Sequence, residues 1–198
     1  IIVNIKTAEF IKYLSNSILA NFISFSNEVA MLGEQIGDID IKKSFNTVKI
    51  DKRWSGNPSL MTSYLHPGLG YGGYCLPKDL EALNYLSKKY KNKDTIIKNI
   101  INTNHKIFNH QLKKIKNKIN KKQKIYVLGL SFKPFSDDLR DSKSIKLIKS
   151  LTKLNYKRLI GCDPKAHKSA SKIFKNKIKV LDKPTYDKSA FYILSTAW

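Results

Sequence analysis

The stretch 66–79, HPGLGYGGYCLPKD, holds the residues most able to do chemistry. Four glycines, Gly68, Gly70, Gly72 and Gly73, run up to a single cysteine, Cys75. A backbone without Cβ can turn sharply and approach a ligand closely. Pro77 suits the first position of a helix, and the run that follows predicts a helix over Lys78–Tyr90. Cys75 then stands just before a helix N-terminus, where the positive end of the dipole favours a thiolate. The thiolate is the nucleophilic form, so the arrangement points to covalent catalysis. Asp79, four residues past Cys75, is expected in the first turn, where a carboxylate complements the dipole. A surface loop with a stray thiol is the bland alternative. The glycines, Tyr71, Cys75, Pro77 and the Lys78-Asp79 pair crowd into too short a stretch for that to be the better reading.

The same stretch satisfies G-x-G-x-x-G as a bare pattern. A dinucleotide-binding loop needs a buried strand before it and a helix opening within it. Pro67 precedes the glycines and Pro77 delays the helix, so that reading is rejected. Other residues are weaker candidates. Lys12 and Asn16 are four apart and share a helix face. Arg53 is the one arginine in the first half of a lysine-rich chain, which suggests a need for a planar fork to hold phosphate or carboxylate. His105 and His110 have no partner cluster and read as structural, and no metal site is expected. Cys162 falls inside a strand-like run and reads as packing.

These residues need elements to position them. Thr7–Ile36 predicts a long amphipathic helix, with Phe10, Leu14, Ile18, Phe22, Phe25, Val29 and Leu32 at helical spacing, Thr7 as N-cap and Gly37 as its end. Residues 38–61 read as irregular helix giving way to a turn over 51–60. Thr95–Asn120 predicts a second long helix, its stripe running through Ile96, Ile100, His105, Phe108, Leu112, Ile115 and Ile119. From Lys124 the pattern alternates: KIYVLGLSF, KRLIGCDP, IKVL and AFYILSTAW read as strands, with helices between the first three. An open parallel sheet with helices on both faces follows. Its ligands belong beyond the strand carboxyl ends, at 131–142 and 163–165.

The chain has 198 residues and a net charge of +22. Such a charge invites a nucleic-acid reading. The lysines are scattered among Asn and Ile, so they read as solvated surface, and no specific nucleic-acid partner is expected. Two cysteines are too few for a disulfide framework. With no signal peptide and no apolar run of membrane-spanning length, the expectation is a cytoplasmic protein. The chain opens without Met and stops at Trp198 directly after a strand-like run, so it reads as a piece of a longer protein.

TAEFIKYLSNSILANFISFSNE, GYGGYCLPKD and GLSFKPFSDDLRDS occur in the order seen in the UDP-glucose/GDP-mannose dehydrogenase family, which the chain resembles along nearly its whole length. The resemblance implies a helical central dimerisation domain over 1–121 and a Rossmann-like nucleotide-sugar domain over 122–198, apparently truncated. It implies oxidation of the C6 alcohol of a nucleotide sugar to a carboxylate by two NAD, a step in polysaccharide biosynthesis. Cys75 would attack the C6 aldehyde, passing through a thiohemiacetal and a thioester. Lys12 and Asn16 would stabilise and place the developing oxyanion, and Asp79 would orient water and handle protons. Tyr64, Leu65, Tyr71, Gly72, Phe132 and Lys133 match substrate contacts, with Arg53 as an arginine lent by a partner subunit. Arg140 and Lys78 would reach the cofactor. Asp141 stands where the family has glutamate.

The family's N-terminal NAD domain has no counterpart in this sequence, so the chain alone is expected not to turn over. UDP-glucose is favoured by the Leu-Pro-Lys-Asp after Cys75. GDP-mannose or a UDP-N-acetylhexosamine, a non-catalytic sugar-binding remnant, and a basic nucleic-acid module are the alternatives. The apolar stripes of the two long helices exceed what one small domain hides, which points to a homodimer.

Overall fold

The computed structural model describes residues 2–56, 68–175 and 177–196; in the first helix the side chains of 12–17, 19, 20 and 23 lie outside that description. The chain gathers into two compact units, Ile1–Leu65 with Ala82–Ile100, and His66–Glu81 with Ile101–Trp198. Among the described residues no helix is long and apolar enough to cross a membrane.

The first unit is built on α1 (Ile5–Ile36). Its N-cap is Asn4, whose side chain accepts the Thr7 N–H at 2.8 Å. The helix thus starts ahead of Thr7, because the asparagine amide offers a good cap acceptor three residues before it. It ends at Gly37, at φ +79°. Helix α2 (Ile41–Val48) is capped by Asp40 and is shorter than the irregular helix expected over this region. The expected turn contains one 3-10 turn over Lys52–Ser55, closed by Gly56 in the left-handed region. Glu28 of α1 accepts the N–H groups of Ile96 and Ile97 at 2.6 and 3.2 Å. One carboxylate thereby satisfies two unpaired donors at the start of α4 (Ile96–Lys116).

The second unit holds four parallel strands: β1 (Ile125–Leu128), β2 (Leu159–Cys162), β3 (Lys179–Leu181) and β4 (Phe191–Leu194), in the order β3-β2-β1-β4. Helix α5 (Lys143–Lys153) joins β1 to β2, and α6 (His167–Phe174) joins β2 to β3. Both crossovers step the same way across the sheet, and right-handed connection then puts both helices on one face. Ile125, Tyr126 and Val127 are successive and all buried, so β1 is covered on both faces. Ile125 and Val127 join a core with Leu147, Ile148 and Leu151 of α5 and Phe174 of α6. Tyr126 stacks on Tyr192, with ring centres 5.0 Å apart.

Helix α4 corrects the expected stripe. Ile97, Asn104 and Phe108 are its buried residues, whereas His105 and His110 are exposed. Spacings of seven and four keep 97, 104 and 108 on one face, and His105 falls a third of a turn away. Helix α3 (Cys75–Lys89) also differs in its start. Cys75 is its first residue and Pro77 its third. Proline fits because none of the first four helical N–H groups has an intrahelical acceptor. No acidic residue lies in the first turn of α3, so Asp79 does not cap the dipole there.

Candidate active site

Cys75 opens α3 with its thiol exposed. The loop before it is pressed onto the rest of the second unit. The Gly73 N–H donates to the Arg140 carbonyl at 3.1 Å. A Cβ on Gly72 would lie 2.2 Å from the Asp141 carbonyl oxygen, and one on Gly73 would lie 2.8 Å from the Phe132 ring. Gly73 also has φ +84°, a conformation L side chains rarely adopt. The space these glycines leave open is therefore filled by the protein itself. That packing accounts for them.

Two cations flank the start of α3. The Arg140 guanidinium lies 4.7 Å from the centre of the Tyr74 ring, and Lys78 Nζ lies 5.3 Å from it. Tyr74 is a residue that sequence reasoning missed. Arg140 is held by Asp138, whose carboxylate accepts from Nε at 3.0 Å and from Nη2 at 2.7 Å. This pairing raises the Arg140 pKa, and the charges of Tyr74 and Cys75 push it the same way. The Arg140 fork in turn holds the Asp138 carboxyl below the usual range. Lys78 is raised chiefly by its 2.6 Å pair with Asp79, and Cys75 adds to that shift. Asp79 is thus an exposed partner of Lys78.

Phe132 and Lys133 sit on the loop after β1. Its backbone is tied down by Asp163, fully buried at the end of β2. The Asp163 carboxylate accepts from Leu130 N (2.7 Å), Ser131 N (3.1 Å), Lys165 N (2.9 Å) and Ala166 N (2.7 Å). One side chain thus locks together the two carboxyl-end loops. Lys133 Nζ lies 5.5 Å from the Phe132 ring. Asp141 has φ +46°, which a short polar side chain tolerates better than most. A surface hollow lined by Asp137, Asp138, Leu139, Arg140, Ser169, Lys172 and Ile173 adjoins the same loop.

The second unit thus brings Cys75, Tyr71, Gly72, Lys78, Asp79, Phe132, Lys133 and Arg140 into one body. Lys12 and Asn16 lie on α1, and their side chains are outside the described residues, as are Tyr64 and Leu65 entirely. Arg53 lies in the first unit. The planar fork inferred for it grips Asp51: Nε donates to both carboxylate oxygens at 2.9 and 3.0 Å, and Nη2 pairs with Oδ2. Arg53 holds the Asp51 carboxyl down to about 2. In both Asp51-x-Arg53 and Asp138-x-Arg140 the carboxylate also accepts the arginine's own backbone N–H at 2.9 Å. That recurring D-x-R spacing is the sequence signal by which Asp138 could have been found. Asn104, and the bonds of Asp163 to Leu130 and Ser131, carried no such signal, since those bonds are long-range.

The profile of the central domain of the UDP-glucose/GDP-mannose dehydrogenase family matches residues 6–106, and that of the family's UDP binding domain matches 126–198. A UDP-glucose 6-dehydrogenase of Rickettsia bellii is 37% identical over 205 residues, covering 100% of this chain and 45% of the relative. The UDP-glucose 6-dehydrogenase TuaD of Bacillus subtilis is 34% identical, covering 89% of this chain and 37% of its own length. The chain therefore spans less than half the length of these curated relatives. Among solved structures, a UDP-glucose dehydrogenase from Pyrobaculum islandicum superposes with a TM-score of 0.63 at 30% identity, over 97% of this chain and 44% of that one. A GDP-mannose dehydrogenase from Pseudomonas aeruginosa gives 0.78 at 24% identity, over 98% of this chain and 45% of that one, and supports the fold. With both domain models matched in sequence order over nearly the whole chain, the chain belongs to the UDP-glucose/GDP-mannose dehydrogenase family.

Proposed function

We propose that this chain supplies the nucleophile and the sugar-nucleotide site of a UDP-glucose 6-dehydrogenase. The observation that carries the reading is Cys75. It is exposed in the first turn of α3, flanked by Lys78 and Arg140, on a loop packed against Phe132. An accessible thiol at a helix start beside two cations is the setting in which nucleophilic cysteines are found. The curated relatives named UDP-glucose 6-dehydrogenase support UDP-glucose as the substrate.

In this reading the C6 alcohol is first oxidised to the aldehyde, its hydroxyl proton passing to a base or water. The Cys75 thiolate adds to C6 and forms a C–S bond, and the oxyanion takes a proton to give a thiohemiacetal. Loss of that hydroxyl proton and of the C6 hydride leaves a thioester. Water then adds and breaks the C–S bond, releasing the carboxylate and the thiol. Two NAD, bound in turn, would each accept one of the two hydrides. Lys78 and Arg140 present the positive groups suited to a phosphate-bearing cofactor. Lys12 and Asn16 stabilise and place the oxyanion, and Asp79 orients the hydrolytic water. Tyr64, Leu65, Tyr71, Gly72, Phe132 and Lys133 contact the sugar nucleotide, with Arg53 contributed across a dimer.

The functional boundary lies between residues 121 and 122. Exposed Phe10 and Phe22 on α1, 65% and 47% accessible, suit burial against a second copy in a cytoplasmic homodimer. The 198 residues by themselves form no NADH from UDP-glucose and NAD in this reading.

The test is alkylation by iodoacetamide with and without UDP-glucose, read by peptide mass spectrometry, with Cys162 as internal control. Fast reaction at Cys75, slowed more by UDP-glucose than by GDP-mannose, is the expected result. Stronger protection by GDP-mannose would move the substrate to that sugar. A Cys75 no faster than Cys162 and indifferent to every nucleotide sugar would sink the catalytic reading.

A further inference from the structure

The geometry points to Asn104 as the positioning residue for the cysteine loop, a role that rests on the proposed function of Cys75. Asn104 lies on α4 and is 9% exposed. Its Oδ1 accepts the Tyr71 N–H at 2.9 Å, and its Nδ2 donates to the Tyr71 carbonyl at 3.2 Å. One carboxamide thus satisfies both backbone groups of a single loop residue, as a neighbouring strand would. Two bonds to one peptide segment fix its rotation as well as its position, which one bond cannot do.

The loop is shaped to receive this amide. Gly70, just before Tyr71, has φ +102°. A Cβ there would lie 2.3 Å from Asn104 Oδ1 and 3.3 Å from Ile107 Cγ2. The glycine is therefore the complement of the asparagine: the side chain omitted at 70 is the space that the amide at 104 occupies. Leu69 packs against the hydrophobic core, and Gly73 is tied to Arg140. Asn104 acts between these two anchors, in the middle of the loop. The residue it holds, Tyr71, is a proposed sugar contact, and Cys75 follows four residues later. Tyr71 is itself part-buried, and burial raises its hydroxyl pKa. Fixing the Tyr71 backbone sets the path of the chain into α3, and so where the thiol stands relative to a bound sugar.

A buried asparagine can also be a polar group that merely found partners. The two roles separate by experiment. Asn104→Ala removes both bonds, and Asn104→Asp keeps an acceptor for the Tyr71 N–H while losing the donor to its carbonyl. In the intact protein, Asn104→Ala is expected to weaken protection of Cys75 by UDP-glucose at least about tenfold, the size of losing one or two buried bonds. The alkylation rate of Cys162 should not change, and Asn104→Asp should fall between. Gly70→Ala, which drives the amide away, should match Asn104→Ala. If these variants lower only the melting temperature, with the protection constant and the Cys75/Cys162 rate ratio unchanged, the positioning role is overturned. Should Asn104→Ala fail to fold, Asn104→Asp and Gly70→Ala carry the same comparison. Should the unmutated protein show no protection at all, the functional reading fails first. The clamp is then judged by amide exchange of peptide 69–74, which must accelerate in Asn104→Asp for it to stand and is refuted by unchanged exchange.

Discussion

The two cysteines of this chain show how differently one side chain can be housed, one exposed and one buried. Cys162 ends β2 and is buried at 3% exposure. Burial raises its thiol to about 11, with a smaller push from the charge of Asp182. Cys75 is exposed, opens a helix, and is linked electrostatically to Lys78 and Arg140. Desolvation favours the neutral thiol at Cys162, whereas Cys75 stands open at a helix start. The difference follows from what surrounds each sulfur: Cys162 is packed away, and Cys75 is accessible as the proposed function requires.

Activity gives the largest contrast. If the proposed function holds, Cys75→Ser lowers acid formation from UDP-glucose by more than about 10³-fold, the scale of losing a nucleophile. Cys162→Ala should stay within about twofold of the parent, since only packing changes. Equal losses in steady-state assays would break the comparison.

Reactivity comes next. At pH 8 a thiol with pKa about 11 is ionised in roughly one molecule per 10³. Cys162 should therefore alkylate at least about 10²-fold more slowly than Cys75, and its rate should rise about tenfold per pH unit up to pH 11. Rates followed by mass spectrometry check both statements. The linkage sign follows from the raised pKa. The folded state holds the Cys162 proton to higher pH than the unfolded chain does. This contribution is full below the unfolded value and is lost as pH rises to about 11. Urea titrations should show the parent losing stability over that alkaline window more steeply than Cys162→Ala.

A smaller effect sharpens the picture around Cys75. Gly73→Ala puts a Cβ into the Phe132 ring at a left-handed backbone. It should destabilise by about 1–3 kcal/mol and weaken UDP-glucose protection of Cys75. Gly68→Ala meets nothing within 4 Å and should change stability by under about 0.5 kcal/mol. Chemical denaturation of the two variants measures the difference.

Much of this was legible before any coordinates. The apolar runs at 125–128 and 159–162 announced buried parallel strands, because a strand covered on both faces needs no alternation. The start of α3 was readable to within a turn, since Pro77 is tolerated only near a helix start. Gly72 and Gly73 pack on Asp141 and Phe132, contacts that no local pattern could announce. Helix periodicity was less sure. His105 was placed in the buried stripe by its spacing from apolar neighbours, yet the polar Asn104 occupies that face.

The sequence by itself determined the order of elements, the family, and the one cysteine worth watching, because helix and strand periods, proline and glycine act over a few residues. Tertiary structure alone decided what surrounds that cysteine. Asn104 reaches Tyr71 across 33 positions, Asp163 reaches Leu130 across 33, and Gly73 meets Arg140 from the far side of β1. Such contacts leave no local trace, since a carboxamide or carboxylate reads as surface until the fold buries it among backbone donors. The site is built from those long-range bonds, so only the folded chain could show which residues hold it.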